Sequence, residues 1–180
     1  MSDAAARLGL GDPAPALELP DTEGVTHSQA DDRAAPASVV IFTCNHCPYA
    51  LAWHERLMQV ARDYADRGVR FYAINPNDAA RYPADSLKAM RARVREEPWP
   101  MPYLRDEAQT VTRRWGARTT PDVFVLGPDT RLRYRGAPDA DYDDPGEDGA
   151  WLREALDDLL AGREVRRPQT EPVGCSIKWK

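Results

Sequence analysis

Two cysteines separated by two residues, Cys44 and Cys47, are the side chains of this sequence best suited to chemistry. They follow an apolar stretch at 39–42 and precede Pro48, a residue well tolerated in the first turn of a helix. At such a strand-to-helix junction, the unpaired N–H groups of the helix N-terminus favour a thiolate over a thiol. We therefore predict a redox dithiol in which Cys44 is the attacking thiolate and Cys47 resolves the mixed disulfide.

The histidine between the two thiols, His46, is a candidate for tuning this chemistry. An imidazolium, or simply an N–H donor, close to Cys44 lowers the pKa of its thiol. Stabilising the reduced thiolate form makes the corresponding disulfide a stronger oxidant. We therefore predict that His46 makes the Cys44–Cys47 couple more oxidising.

A metal site is an alternative use of the same cysteines, because zinc sites also begin with Cys-x-x-Cys pairs. A closed structural site needs four ligands, and the chain has no second pair of this kind. The remaining candidate ligands are Cys175, His27, His46 and His54. The sequence therefore predicts no metal and no other cofactor, while a non-enzymatic redox-sensing or metal-binding module stays open as an alternative.

Chain length and charge restrict the classes of protein to which the sequence can belong. At 180 residues we predict a single domain over 1–180, with 163–180 as an extended C-terminal tail. A net charge of −5 argues against nonspecific binding to nucleic acid or anionic membranes, and no apolar run is long enough to cross a bilayer. Residues 1–10 lack the features of a signal peptide, so the cytoplasm is the predicted location. Thiols there serve redox chemistry more often than structural disulfides.

Hydrophobic periodicity places strands and helices in alternation along the chain. A short hairpin is predicted around the turn at 21–24, and further strands at 39–43, 69–75, 122–126 and 131–134. Helices are predicted at 48–67, from a cap at Asp85 or Ser86 to the residue before Pro98, from a cap at Asp106 to Trp115, and at 151–160. This order predicts an α/β fold in which both faces of the sheet are covered.

This order of elements, with a dithiol at the first strand-to-helix turn, resembles the thioredoxin superfamily over nearly the whole chain. The opening segment 11–24 is similar to that of the redoxin, or AhpC/TSA-like, branch. The resemblance implies a central mixed β-sheet with helices on both faces, an N-terminal β-hairpin extension and an extended C-terminal tail. Thr120-Pro121 resembles the cis-proline loop of this fold, which implies that both residues lie beside Cys44 and line the edge where substrates dock.

A closer resemblance is to bacterial thioredoxin-like proteins that share the segments Cys-Asn-His-Cys-Pro-Tyr, here 44–49, and Gly-Cys-Ser-Ile-Lys-Trp-Lys, here 174–180. The implied activity is thiol-disulfide exchange with a disulfide-containing protein or a small thiol, with electrons from a thiol donor. The sequence leaves the oligomeric state open. Two departures from thioredoxins are Thr43 in place of a Trp, and Ser38 where an acidic residue is expected. We therefore expect a couple less reducing than that of thioredoxin.

A thiol peroxidase of the peroxiredoxin type is the main alternative function. Such enzymes carry a reactive Cys followed by Pro, and Cys47-Pro48 fits this pattern. However, the position three residues before the reactive Cys is usually Thr in that family, and here it is Cys44. One thiol of low pKa suffices to attack a peroxide, so the alternative stays open.

The third cysteine, Cys175, follows Gly174 in the C-terminal tail. One hypothesis is a third redox thiol that folds back towards Cys44 or resolves an intermolecular disulfide, with Lys178 close enough in sequence to lower its pKa. The alternative is a small apolar residue that packs the tail against the body of the protein, since free Cys is commonly buried.

Overall fold

The centre of the structure, a computed structural model that describes residues 8–180, is a five-stranded mixed sheet in the order β5-β4-β3-β7-β8. The strands are β1 Glu18–Pro20, β2 Thr26–Ser28, β3 Ser38–Phe42, β4 Arg70–Asn75, β5 Tyr103–Arg105, β6 Thr119–Thr120, β7 Asp122–Leu126, β8 Leu132–Gly136 and β9 Cys175–Ser176. The central strand β3 is parallel to β4 and antiparallel to β7. Outside this sheet, β1 pairs with β2 as the predicted hairpin, and β6 pairs with β9.

The helices are α1 Pro48–Ala65, α2 Leu87–Glu96, α3 Thr110–Trp115 and α4 Ala150–Leu160. Short 3-10 turns cover Gln29–Asp32 and Pro83–Asp85. Pro48 occupies the first position of α1, where its missing N–H costs nothing and its fixed φ suits the helix. Ser86 caps α2 by accepting a hydrogen bond from the Ala89 N–H at 3.2 Å. The longest helix thus starts directly after the dithiol.

Both faces of the sheet are buried, as β3 shows, because all of its five residues lie in the core. Val39 and Ile41 pack on one side with residues of α1, α2 and α4. Val40 and Phe42 pack on the other with residues of the hairpin, α3 and the tail. The predicted mixed sheet with helices on both faces is confirmed.

The start of α3 differs from the prediction. Asp106 does accept hydrogen bonds, from the Thr112 N–H at 2.8 Å and the Thr112 hydroxyl at 2.6 Å. However, Gln109 adopts a left-handed conformation with φ 60°, so the helix begins only at Thr110. Asp106 therefore closes a turn before the helix, and the predicted capping box is wrong.

The C-terminal tail is extended, as predicted, but it is bound closely to the body of the protein. Arg135 of β8 pairs with the tail, because its N–H donates to the Pro168 carbonyl at 3.1 Å and its carbonyl accepts from the Thr170 N–H at 3.0 Å. Further on, the Lys178 N–H donates to Asn77 Oδ1 at 2.9 Å, and Ile177 is buried. The short strand β9 lies between these two anchors.

Among the described residues, no helix combines the length and apolarity needed to span a membrane. The single domain over 1–180 stays a prediction, and its first seven residues lie outside the described part of the chain.

Candidate active site

Cys44 and Cys47 lie where the central strand leads into the longest helix. The Thr43 N–H donates to the Ile74 carbonyl at 2.8 Å, which extends the ladder between β3 and β4 by one residue. Cys47 is the residue immediately before α1 and has an extended backbone conformation, with φ −72° and ψ 126°. The second thiol, rather than the first, is therefore at the helix N-terminus, which corrects the position predicted for Cys44.

The Thr120–Pro121 peptide bond is cis, and Thr120 contacts both thiols. In its protonated form Cys47 donates from Sγ to the Thr120 carbonyl oxygen at 3.0 Å. Cys44 Sγ lies 3.3 Å from the Thr120 hydroxyl oxygen. The loop and the dithiol are thus adjacent, in the arrangement that the resemblance implies.

The environments of the two thiols favour negative charge on Cys47. A hydrogen bond with Cys44 lowers the pKa of Cys47, assisted by the Cys175 thiol and by the Ala50 N–H in the first turn of α1. The same hydrogen bond, burial and the charge of Asp85 raise the pKa of Cys44. These environments favour a thiolate on Cys47 and a thiol on Cys44, while the attacking role predicted for Cys44 and the resolving role predicted for Cys47 stay predictions.

His46 lies beside Cys44, but its nearest partner is a carboxylate. His46 Nδ1 is 2.5 Å from Asp85 Oδ2, an ion-pair contact whose direction does not meet hydrogen-bond geometry. The imidazole also stacks on the ring of Tyr82, with centroids 5.6 Å apart. His46 thus compensates the charge of Asp85 when it is protonated.

Asp85 is the residue of this site that sequence reasoning missed. It is fully buried, and Oδ1 accepts hydrogen bonds from the Asn45 N–H at 2.7 Å and Asn75 Nδ2 at 3.2 Å. Oδ2 accepts one from Asn77 Nδ2 at 2.9 Å. The only signal in the sequence was an acidic residue before a helix, which was interpreted as a cap, while Ser86 is the residue that caps.

The loop between the thiols is held from two further elements. Tyr103 on β5 donates its hydroxyl to Asn45 Oδ1 at 2.8 Å. Arg93 on α2 donates from Nη1 to the Cys44 carbonyl oxygen at 3.1 Å. These hydrogen bonds fix the backbone of the dithiol loop relative to the sheet.

Three groups near the dithiol are able to ligate a metal. Ligand atoms of Cys44, His46 and Asp85 lie within 4.8 Å of one another. A closed tetrahedral zinc site needs a fourth ligand, and the Asp85 carboxylate already accepts three hydrogen bonds. The prediction of no metal therefore stays a prediction.

Cys175 completes a cluster of three thiols. It is paired with Thr120 in the register of β6 and β9, and its side chain packs against the buried cluster of Cys44, Cys47 and Ala50. Burial raises the pKa of Cys175 to about 11, with a further contribution from Cys47. A Cβ atom on Gly174 would lie 2.4 Å from the Thr120 oxygen, so this close approach of the tail requires glycine.

Two solved structures resemble this chain over almost its whole length. A hypothetical protein from Sinorhizobium meliloti is 38% identical, with a TM-score of 0.91 and coverage of 96% of each chain. An uncharacterized conserved protein from Geobacillus kaustophilus is 39% identical, with a TM-score of 0.92 and coverage of 97% of this chain and 94% of that one. A putative thiol:disulfide interchange protein from Chlorobium tepidum, 18% identical over 85% of this chain and 99% of its own, shares the fold with a TM-score of 0.70.

Sequence comparison with family models identifies the group to which the chain belongs. Among curated proteins, no sequence matches significantly. The model of the AhpC/TSA family matches residues 10–135, which is more than two thirds of the chain. The resemblance of segments 44–49 and 174–180 to particular bacterial proteins stays a prediction. The matched region contains the dithiol and the cis-proline loop, and the protein therefore belongs to the AhpC/TSA family, which supports a general thiol redox function.

Proposed function

We propose that this protein is a thiol-disulfide oxidoreductase in which Cys44 and Cys47 alternate between dithiol and disulfide. The observation that carries the proposal is that two free thiols lie in one buried cluster beside the cis-proline loop, with Thr120 within hydrogen-bond distance of both. Sulfur atoms held in one cluster need little movement to form a bond. The environment that favours a thiolate on Cys47 supplies the nucleophile.

In the proposed reaction, the Cys47 thiolate attacks a disulfide of the substrate. One substrate sulfur leaves as a thiolate, and the other forms a mixed disulfide with Cys47. Cys47 then no longer accepts the hydrogen bond that raised the pKa of Cys44, so Cys44 loses its proton more readily. Cys44 attacks Cys47 Sγ, the second substrate sulfur leaves and takes up a proton, and the Cys44–Cys47 disulfide remains.

The substrates of this reaction are disulfide-containing proteins or small disulfides, and a thiol donor restores the dithiol. The proposed location is the cytoplasm, where glutathione and thioredoxin-type systems keep such donors reduced. Thr120 and Pro121 stay the proposed docking residues beside the dithiol, for substrates that do not need the backbone edge that β9 occupies. His46, next to Asp85, adjusts the potential of the couple.

The experiment that tests the proposal is the redox equilibrium of the protein in glutathione buffers, with peptide mass spectrometry of the quenched samples. We expect a reversible disulfide between Cys44 and Cys47 that is absent in Cys44→Ser and in Cys47→Ser. Cys44→Ser keeps the attacking thiol of Cys47 but loses the Cys44 thiol that resolves the mixed disulfide. Cys47→Ser loses the attacking thiol and should not react with oxidised glutathione at the dithiol. Failure to detect a Cys44–Cys47 disulfide at any buffer ratio would refute the proposal.

A peroxidase of the peroxiredoxin type is the second candidate, since Cys47 precedes Pro48 at the start of a helix and its environment favours the thiolate. Membership in the AhpC/TSA family supports the same chemistry. Peroxide consumption by the reduced protein distinguishes the two. Rapid turnover that persists in Cys44→Ser and disappears in Cys47→Ser would place the peroxidase first.

A further inference from the structure

The thiols of the cluster differ in their access to solvent. Cys44 and Cys47 are both 0% exposed, whereas Cys175 is partly exposed. An external thiol or disulfide must come within bonding distance of a sulfur atom to exchange with it. In the described structure, Cys175 therefore offers the accessible route to the dithiol.

Cys175 is held at this position by contacts on both sides of it in the chain. Cys175 itself pairs with Thr120 across β6 and β9, and two residues further on the Ile177 N–H donates to the Arg118 carbonyl at 3.2 Å. The last residue is fixed as well, because Lys180 Nζ lies 2.7 Å from Glu107 Oε1. Such anchoring keeps the Cys175 and Cys47 sulfurs together and gives their reaction the advantage of an intramolecular one.

The same strand occupies the edge beside the dithiol. β9 pairs antiparallel with β6, which ends at Thr120, the residue that contacts both thiols. A polypeptide substrate that added a strand at this edge would compete with β9 for the same backbone groups. The arrangement favours small disulfides and small thiols over extended polypeptides as exchange partners.

We propose that Cys175 is a relay thiol, which passes disulfides between the buried Cys44–Cys47 pair and low-molecular-weight thiols in solution. The inference rests on the proposed function, since it assigns the route and the substrate class of the same dithiol. It uses the packing of Cys175 against the buried cluster that holds Cys44 and Cys47, its partial exposure and the occupied edge.

The relay is balanced at each step. The Cys175 thiolate attacks Cys47 Sγ in the Cys44–Cys47 disulfide, and Cys44 leaves and takes up a proton. An external thiolate then attacks Cys175 Sγ, so that the Cys47–Cys175 bond breaks, a mixed disulfide forms on Cys175 and Cys47 leaves as a thiolate. A second external thiol releases its oxidised dimer and restores Cys175. Two external thiols are thus oxidised as one protein disulfide is reduced, and the reverse sequence oxidises the dithiol.

The properties of Cys47 and Cys175 suit these roles. In a mixed or internal disulfide, the thiol of lower pKa is the better leaving group. Attack on the Cys175 sulfur releases Cys47, whose pKa is lowered, while attack on the buried Cys47 sulfur would have to release Cys175, whose pKa is raised. Access and leaving-group acidity therefore direct external thiols to Cys175.

The test follows oxidation of the reduced full-length protein by oxidised glutathione, with samples quenched in acid, alkylated and mapped by peptide mass spectrometry. In Cys175→Ser, we expect the Cys44–Cys47 disulfide to form at least about tenfold more slowly than in the unaltered protein, because the intramolecular route is lost. The equilibrium midpoint should stay close to that of the unaltered protein, since the serine hydroxyl still donates to Cys47. In Cys44→Ser, we expect a disulfide between Cys47 and Cys175.

A second pair of variants tests the position of Cys175 and not its sulfur. Gly174→Ala should displace β9, because its Cβ would lie 2.4 Å from the Thr120 oxygen, and oxidation should slow as in Cys175→Ser. Val173→Ala, at an exposed neighbouring position, is the matched control and should react at the unaltered rate. Circular dichroism and thermal unfolding check that both variants are folded. Equal rates in the two variants would contradict the placement that the relay requires.

The remaining outcomes distinguish a failure of the relay alone from a failure of the proposed function. Oxidation of Cys175→Ser at the unaltered rate would overturn the relay and leave the dithiol function intact. Glutathione retained on Cys47 of Cys44→Ser, with Cys175 still a free thiol, would also overturn it. A Cys44–Cys47 disulfide that forms in neither the unaltered protein nor Cys175→Ser would refute the proposed function and the relay together.

Discussion

At the scale of single residues, the acidity of Cys47 depends on a hydrogen bond from its partner thiol. Cys44→Ala removes this donor, whereas Cys44→Ser keeps a hydroxyl at the same place. We therefore expect the pKa of Cys47 to be higher in Cys44→Ala than in Cys44→Ser. The pH dependence of alkylation measures it, in a Cys175→Ser background that leaves Cys47 as the reacting thiol. Identical titration of the two variants would show that the donor is not the cause.

The potential of the couple is a second residue-scale property, because His46 faces the buried carboxylate of Asp85 beside Cys44. His46→Ala leaves this negative charge uncompensated, which destabilises the reduced thiolate form. We expect the midpoint in glutathione buffers to become more reducing by tens of millivolts, at about 30 mV for each ~1.4 kcal/mol. His27→Ala is the control, since that histidine pairs with Asp21 in the hairpin. A shift towards a more oxidising midpoint would contradict the assignment.

At this scale, sequence reasoning paired the two thiols and missed a carboxylate beside them. The spacing of Cys44 and Cys47 was sufficient to pair the two thiols, because three residues cover about one helical turn. The predicted start of α1 at Pro48 is confirmed, and that start places Cys47, and not Cys44, directly before the helix. Asp85 was out of reach, because it arrives at the dithiol from a turn 40 positions away in the sequence.

At the scale of elements, His54 joins α1 to the segment that follows α2. Its ring packs on that of Trp99 with centroids 4.9 Å apart, and Nε2 is buried 3.8 Å from Glu97, too far for a hydrogen bond. Burial lowers the pKa of His54 to about 4, and the charge of Arg93 acts in the same direction. The unfolded chain therefore takes up this proton first as the pH falls below about 6.5.

It follows that His54 reduces stability on acidification, with the full effect reached near pH 4. Between pH 7 and pH 4, His54 should lower the free energy of unfolding by up to about 3 kcal/mol, and we expect His54→Leu to remove this loss. Urea unfolding at a series of pH values measures it. Val25→Ala, at an exposed position of the hairpin, changes no titratable group and should leave the slope unchanged. An unaltered slope in His54→Leu would mean that the histidine is protonated in the folded state.

Elements whose pattern is local were predictable, whereas elements formed by distant partners were not. The strand before the dithiol and the helix after it agree with the prediction to within two residues, because each has its own periodicity and its own boundary residues. β9 has two residues, and it is a strand because Gly174 allows the backbone to approach Thr120 closely. No periodicity exists in two residues, so only the folded chain reveals this pairing.

At the scale of the whole molecule, the buried carboxyl of Asp122 sets a second dependence of stability on pH. It begins β7 next to Pro121, and Oδ2 accepts a hydrogen bond from the Arg118 N–H at 3.0 Å. Oδ1 is buried without a hydrogen-bond partner among residues 8–180. Burial raises the pKa of Asp122 to about 6, against the opposing influence of Arg118 and Arg135. The folded chain thus holds a proton that the unfolded chain has already lost at pH 5.

The sign of this effect is opposite to that of His54. For Asp122, stability is greatest below about pH 4, falls as the pH rises, and the full cost is present above about pH 6. We expect Asp122→Asn to raise the free energy of unfolding at pH 7.5 by up to about 3 kcal/mol and to leave it nearly unchanged at pH 4. Urea unfolding at the two pH values measures the difference.

Because the two groups titrate over nearly the same range, their effects oppose each other in the unaltered protein. Relative to the unaltered protein, the free energy of unfolding of His54→Leu should therefore fall between pH 4 and pH 6. That of Asp122→Asn should rise over the same range. The double variant should return to the original slope, since the two side chains lie on different elements and their effects should add. A double variant whose slope follows either single variant would show that the two protonation equilibria are coupled through the fold and do not act independently.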